Sequence, residues 1–133
     1  MGKREDPIHL SILAFLRLNF PEHLIHHSPN EQQASAGDRR GAAIAMQKAR
    51  KMGMVKGWPD LQLLLPDGPV FFEVKAEGSY LTAEQKDVMD RLRRLGYRAA
   101  VVRSIDDVQD ALATWGVPVR ASEKRRADLA GDK

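Results

Sequence analysis

The 133-residue sequence predicts an α/β domain, a small mixed β-sheet with helices on both faces. Three observations carry that prediction. First, residues 60–65 and 70–75 carry apolar side chains at every second position and flank Pro66-Asp67-Gly68-Pro69. That is a turn sequence, because proline presets one backbone angle and glycine supplies the unusual one. Second, a helical pattern and then a buried-type strand (Arg98–Arg103) follow the second run, which makes a crossover and a parallel pair. Third, a chain of this length buries roughly two-thirds of its unfolded surface, enough for a single domain with a real core.

In chain order, Asp6-Pro7 starts a helix, with Asp6 as cap and Pro7 where a missing N–H costs nothing. Ile8, Ile12, Phe15 and Leu16 share one face, and the helix ends near Asn19, before Pro21. Leu24–His27 is a short strand, broken by Ser28, Pro29 and Asn30. Glu31–Gly37 reads as polar loop. Asp38 caps a second helix, whose Ala42, Ile44, Ala45, Ala49 and Met52 offer apolar surface and which Gly53 ends. After the paired strands, Thr82 caps a third helix that Gly96 closes. Its buried stripe is Leu81, Gln85, Val88, Leu92 and Leu95. Ser104 or Asp106 opens a last helix that reaches Trp115. Residues 5–118 form the domain, and 119–133 are a charged tail with few apolar residues.

Composition narrows the function. Cysteine is absent, so disulfides and thiolate metal sites are excluded. No apolar run nears the ~18 residues that a bilayer crossing needs. The charged start, MGKRED, reads as neither a secretory signal nor a myristoylation site, which predicts a cytoplasmic protein without membrane contact. Six bases (Arg39, Arg40, Lys48, Arg50, Lys51, Lys56) against Asp38 give Gly37–Lys56 a charge of +5, leaving −2 for the rest of a chain whose net charge is +3. Concentrated basic charge suits a nucleic-acid partner, although the solvated face of an ordinary helix looks similar.

The paired strands carry the chemistry. A symmetric hairpin around residues 66–69 sets Leu65 against Val70, Gln62 against Glu73 and Asp60 against Lys75. Side chains alternate along a strand, and facing residues point the same way. Asp60, Gln62, Glu73 and Lys75 then share one face, while Leu61, Leu63, Leu65, Val70, Phe72 and Val74 face the core. Two neighbouring carboxylates disfavour each other's ionised form, and a divalent cation removes the conflict. Oxygen ligands suit Mg²⁺ or Mn²⁺, which lowers the pKa of a bound water and polarises a phosphoryl oxygen. The Val74 carbonyl is a further candidate ligand. Lys75 suits orientation of the attacking water or neutralisation of charge on phosphate. Gln85, a buried amide at the amino end of its helix, needs hydrogen-bond partners of the kind this cluster supplies.

G-W-P-D-L (Gly57–Leu61), F-E-V-K (Phe72–Lys75), L-T-x-x-Q (Leu81–Gln85) and V-V-R-S (Val101–Ser104) together resemble the VRR-NUC domain, a branch of the PD-(D/E)XK nuclease superfamily. E-D-P-I (Glu5–Ile8) and Pro29-Asn30 are similar to its amino-terminal region. The resemblance implies a restriction-endonuclease-like core and a Mg²⁺- or Mn²⁺-dependent DNA nuclease. It implies Asp60, Glu73, Lys75 and Gln85 as catalytic, with Glu5 joining Asp60, Glu73 and the Val74 carbonyl around the metal. Stand-alone relatives of this type look like phage or bacterial homodimers, some acting on Holliday junctions or other branched DNA. A nuclease preferring flaps, ends or single strands, and a DNA-binding module that does not cut, are the alternatives.

Outside this set, Arg39, Arg40, Lys48 and Lys56 are the candidate phosphate contacts. Trp58 departs from the smaller or branched residue usual before the proline, and suits packing, DNA stacking or a dimer contact. Tyr80 suits DNA or packing, and Arg103 suits an acid near the site. His26 and His27, adjacent on a strand, point opposite ways and make a poor metal pair.

Overall fold

A computed structural model describes residues 4–29 and 39–120. The elements are α1 (Asp6–Asn19), β1 (Leu24–His27), α2 (Arg39–Lys51), β2 (Leu61–Leu65), β3 (Gly68–Val74), α3 (Ala83–Arg94), β4 (Arg98–Val102) and α4 (Ile105–Thr114). The order matches the prediction. Asp38, the Glu31–Gly37 loop and the tail beyond Arg120 lie outside the described residues.

The strands form one mixed sheet in the order β1-β2-β3-β4. The first two pairs are antiparallel and β3–β4 is parallel, joined through α3. Each face has its own core. Leu61, Leu63, Val70, Phe72, Val74 and Val102 meet Ile12 and Leu16 of α1 and Val108 and Leu112 of α4, and Val119 closes that cluster. On the other face Phe71 and Ala99 meet Val88, Met89 and Leu92 of α3. Burying each large apolar side chain contributes about 1.5–3 kcal/mol, so the two clusters supply most of the favourable energy of folding.

The hairpin register differs from the symmetric one. Leu65 pairs with Gly68, Leu63 with Val70 and Leu61 with Phe72, so Gln62 lies opposite Phe71 rather than Glu73. The connection is two residues, Pro66-Asp67, because Gly68 accepts a φ of 130° and reverses the chain early. Arg98 fastens the turn, donating to both Asp67 carboxylate oxygens (3.3 and 3.1 Å) and to the Gly68 carbonyl (2.9 Å). The register moves by two residues, an even number, so every side chain keeps its predicted face.

Three local expectations also change. The residue at the N-cap of α1 is Glu5, not Asp6, and its side chain makes no cap hydrogen bond. In α3 the buried set is Gln85, Val88, Met89 and Leu92, while Leu95 is 74 % exposed because it follows the helix as its C-cap. The amphipathic α2 buries no residue, and Ile44 and Met52 are 61 % and 81 % exposed.

Candidate active site

The carboxyl end of β3 builds the site. β3 is a central strand, so Glu73 is covered on its own face by α3 and flanked by β2 and β4. Asp60 sits where β2 begins, one residue before Leu61, which pairs with Phe72. That register brings Asp60 beside Glu73, not beside Lys75 as the symmetric hairpin required. Asp60 is 2 % exposed, and its Oδ2 accepts the Val74 N–H at 2.8 Å. Its backbone carbonyl accepts the Ser28 N–H at 2.9 Å.

Glu73 is 1 % exposed. Its Oε1 accepts the Gln85 side-chain amide at 3.2 Å, while its Oε2 is buried with no hydrogen-bond partner. Burial pushes its pKa up to about 9, and the negative charge of Asp60 pushes the same way. Lys75 opposes the rise and Glu5 adds to it. Glu73 thus holds a proton at neutral pH. Lys75 and Glu5 are both buried within electrostatic reach of Glu73. Glu5 accepts the Ser79 hydroxyl at 3.4 Å, which ties the mouth of α1 to the loop after β3.

Gln85 is held by its own helix. Thr82 and Gln85 form a capping box: the Thr82 hydroxyl accepts the Gln85 N–H at 3.1 Å, and the Gln85 Oε1 accepts the Thr82 N–H at 2.9 Å. With its oxygen committed to the cap, the amide nitrogen is left to reach Glu73. The expected partner of this buried amide is therefore Glu73.

The donor set fits a divalent cation. Two carboxyls are buried side by side, and one of their oxygens has no partner, which a cation would supply. Among the described residues no three acidic or histidine side chains by themselves form a cage for an ion. A site with two carboxylates, a backbone carbonyl and waters does not need one, because Mg²⁺ keeps several waters.

The remaining candidates are placed as follows. Lys56 lies 3.5 Å from Glu84, both half exposed, at the rim of a cavity of about 560 Å³ that Trp58, Thr82 and Gln85 also line. Arg39, Arg40 and Lys48 are exposed on α2. Trp58 packs edge-on against Phe71 at 5.7 Å between ring centres, which decides for packing, whereas Tyr80 is 82 % exposed. Among the described residues Arg103 pairs with no acid: its guanidinium donates to the Ala76 carbonyl, bracing the loop after Lys75. His26 is exposed and His27 is half buried, so they do not act as a pair.

His9 was missed as a neighbour of the site. It is buried one helical turn beyond Glu5, its ring meets His27 edge-on at 4.7 Å, and the charge of Asp60 acts on it. Burial and His27 together hold its pKa below the ordinary value. The four-residue spacing from Glu5 was the available signal.

Comparisons with known proteins agree with the fold. One solved structure, described as a VRR_NUC domain protein, is 25 % identical, covers 86 % of this chain and 88 % of its own, and superposes with a TM-score of 0.62. A second, described as a VRR_NUC domain, is 20 % identical, covers 84 % and 97 %, and shares the fold at a TM-score of 0.56. No curated protein matches the sequence. Among the described residues no helix is long and apolar enough to cross a membrane. The sequence matches the VRR-NUC domain over residues 12–106, most of its length, and the chain belongs to that family of nuclease domains.

Proposed function

We propose that the protein is a Mg²⁺- or Mn²⁺-dependent endonuclease that hydrolyses phosphodiester bonds in branched DNA as a homodimer. The observation that carries the metal reading is the buried Asp60–Glu73 pair with its unpartnered Glu73 oxygen. Asp60, Glu73 and the Val74 carbonyl would hold the cation, with waters completing the set and the charge of Glu5 acting on it from nearby. A cation there would acidify a bound water and polarise the phosphoryl oxygen.

The chain's own groups do the rest. Glu73 gives up its proton when the site is loaded, and Gln85 keeps it oriented. Lys75 directs the attacking water and offsets the charge that grows on the phosphate. The attacking water gives up a proton to solvent as its oxygen bonds to phosphorus, one ester P–O bond breaks, and the leaving oxygen takes up a proton from solvent. Arg39, Arg40, Lys48 and Lys56 supply sequence-independent attraction to the backbone. Branched DNA and the homodimer are supported by the family resemblance and by symmetry, since two sites on a two-fold axis suit the two strands of a junction.

The test is a panel of four-way junction, flap, splayed arm, duplex and single strand, incubated with Mg²⁺, with Mn²⁺ or with EDTA. Metal-dependent cutting of the junction above the others, lost in Asp60→Asn, is the expected result. A preference for flaps, ends or single strands would replace the substrate reading. Binding without cutting of any substrate would reduce the protein to a DNA-binding module.

A further inference from the structure

Gly57 stands where the two walls of the site meet. It lies three residues before Asp60 on the segment that enters β2, with a φ of +87°. A Cβ at this position would lie 2.6 Å from the Glu84 carbonyl carbon, 2.7 Å from the Glu84 oxygen and 2.7 Å from the Gln85 nitrogen. All three are backbone atoms of the first turn of α3, so no side-chain rotation relieves the overlap. The crowded Gln85 N–H is the one that donates to Thr82 at 3.1 Å, within the capping box that aims the Gln85 amide at Glu73.

We propose that Gly57 is a positioning residue of the active site. Its bare Cα lets the segment carrying Asp60 close onto the first turn of α3, and that closure sets the reach of Gln85 to Glu73. Trp58, packed on Phe71, holds the next residue of the same segment against the sheet. The inference extends the metal-nuclease reading, and part of its test is independent of metal.

Gly96 supplies the control. It has a φ of +92°, almost the same backbone demand, with nothing within 4 Å of a Cβ. Gly57→Ala and Gly96→Ala therefore share the backbone strain, and only the first carries the overlap. In the metal-free full-length chain, the Gln85 side-chain amide resonance reports its bond to Glu73. Gly57→Ala is expected to move that resonance toward the solvent-exposed position. It should weaken Mn²⁺ binding by roughly tenfold or more, as loss of a supporting hydrogen bond does, and lower kcat more than it raises KM. Gly96→Ala should leave all three at wild-type values.

An amide resonance and Mn²⁺ affinity equal in the two variants would overturn the proposal. Thr82→Ala loosens the same turn without any overlap, so an unmoved Gln85 amide there overturns it even if Gly57→Ala does not fold. Should the wild type bind no Mn²⁺, the metal reading fails, while the amide measurement still decides the role of Gly57.

Discussion

Glu73→Gln should stabilise the metal-free protein at alkaline pH, although it replaces a buried residue at the centre of the site. The folded protein holds the Glu73 pKa near 9, against an ordinary value of 4.5. A carboxyl whose pKa is higher in the folded state binds its proton more tightly there. Its contribution to stability is fully present below the unfolded pKa and is lost as pH rises toward the folded one. Each pH unit inside that window costs about 1.4 kcal/mol, so a rise from about pH 7 to 8.5 removes ~2 kcal/mol. Glu73 is almost fully buried, so solvent screening does little to reduce this.

His9 works the other way but in a different range. Its pKa lies below the ordinary 6.5, so its penalty appears only as pH falls through that value. Measurements above about pH 7 isolate Glu73. The assay is urea unfolding in EDTA, with stability taken from the midpoint and slope at each pH. Wild type should weaken across the range. Glu73→Gln, which cannot ionise, should lose that slope. Added Mg²⁺ should restore wild type and leave the variant unchanged. A flat wild-type profile in EDTA, or the same slope in the variant, would refute the raised affinity of Glu73 for its proton and weaken the argument for a cation.

Lys75→Ala should lower turnover by about 10²–10³-fold, the usual effect of removing one preorganised electrostatic group. Mn²⁺ affinity measured by calorimetry should stay within a few-fold of wild type. Replacing Arg39, Arg40 and Lys48 together with alanine should flatten the plot of log affinity against log salt by roughly 2–3, at about 0.9 per phosphate contact. An unchanged slope would remove α2 from the DNA interface. Gln85→Glu keeps an acceptor for the cap but loses the donor to Glu73. It should retain the fold by circular dichroism, raise the alkaline instability in EDTA and weaken Mn²⁺ binding.

Most of the fold was legible because its signals are local. Proline and glycine mark the element ends, and residues on alternate positions of β2 and β3 sort cleanly into two faces. The turn length was not legible, since Pro66-Asp67-Gly68-Pro69 accommodates either two or four connecting residues, and the positive φ of Gly68 and the distant tie from Arg98 go with the shorter one. The site survived that difference because alternation has a period of two. An error of one residue would have sent Asp60 to the opposite face. What failed depends on distant contacts. Leu95 fits the stripe of α3 but follows the helix end, whereas Met89 lies inside and is buried. Nothing in the spacing of α2 announced a helix that buries no residue, because an amphipathic pattern states what a helix can cover and not whether anything is there.

The choice of glutamine at position 85 follows from two demands that meet in one side chain. The first turn of α3 needs an acceptor at the third helical position, and glutamate or glutamine fills a capping box equally well. Beside Glu73, however, a glutamate would add a carboxylate to a site that already buries two. Only the amide brings a donor, which satisfies Glu73 Oε1 without adding charge. The helix cap thereby fixes the orientation of Gln85, which reaches Oε1 of Glu73 and leaves Oε2 without a partner. The order of residues in L-T-x-x-Q is thus set by helix geometry, and the identity of its last member by the electrostatics of the neighbouring strand.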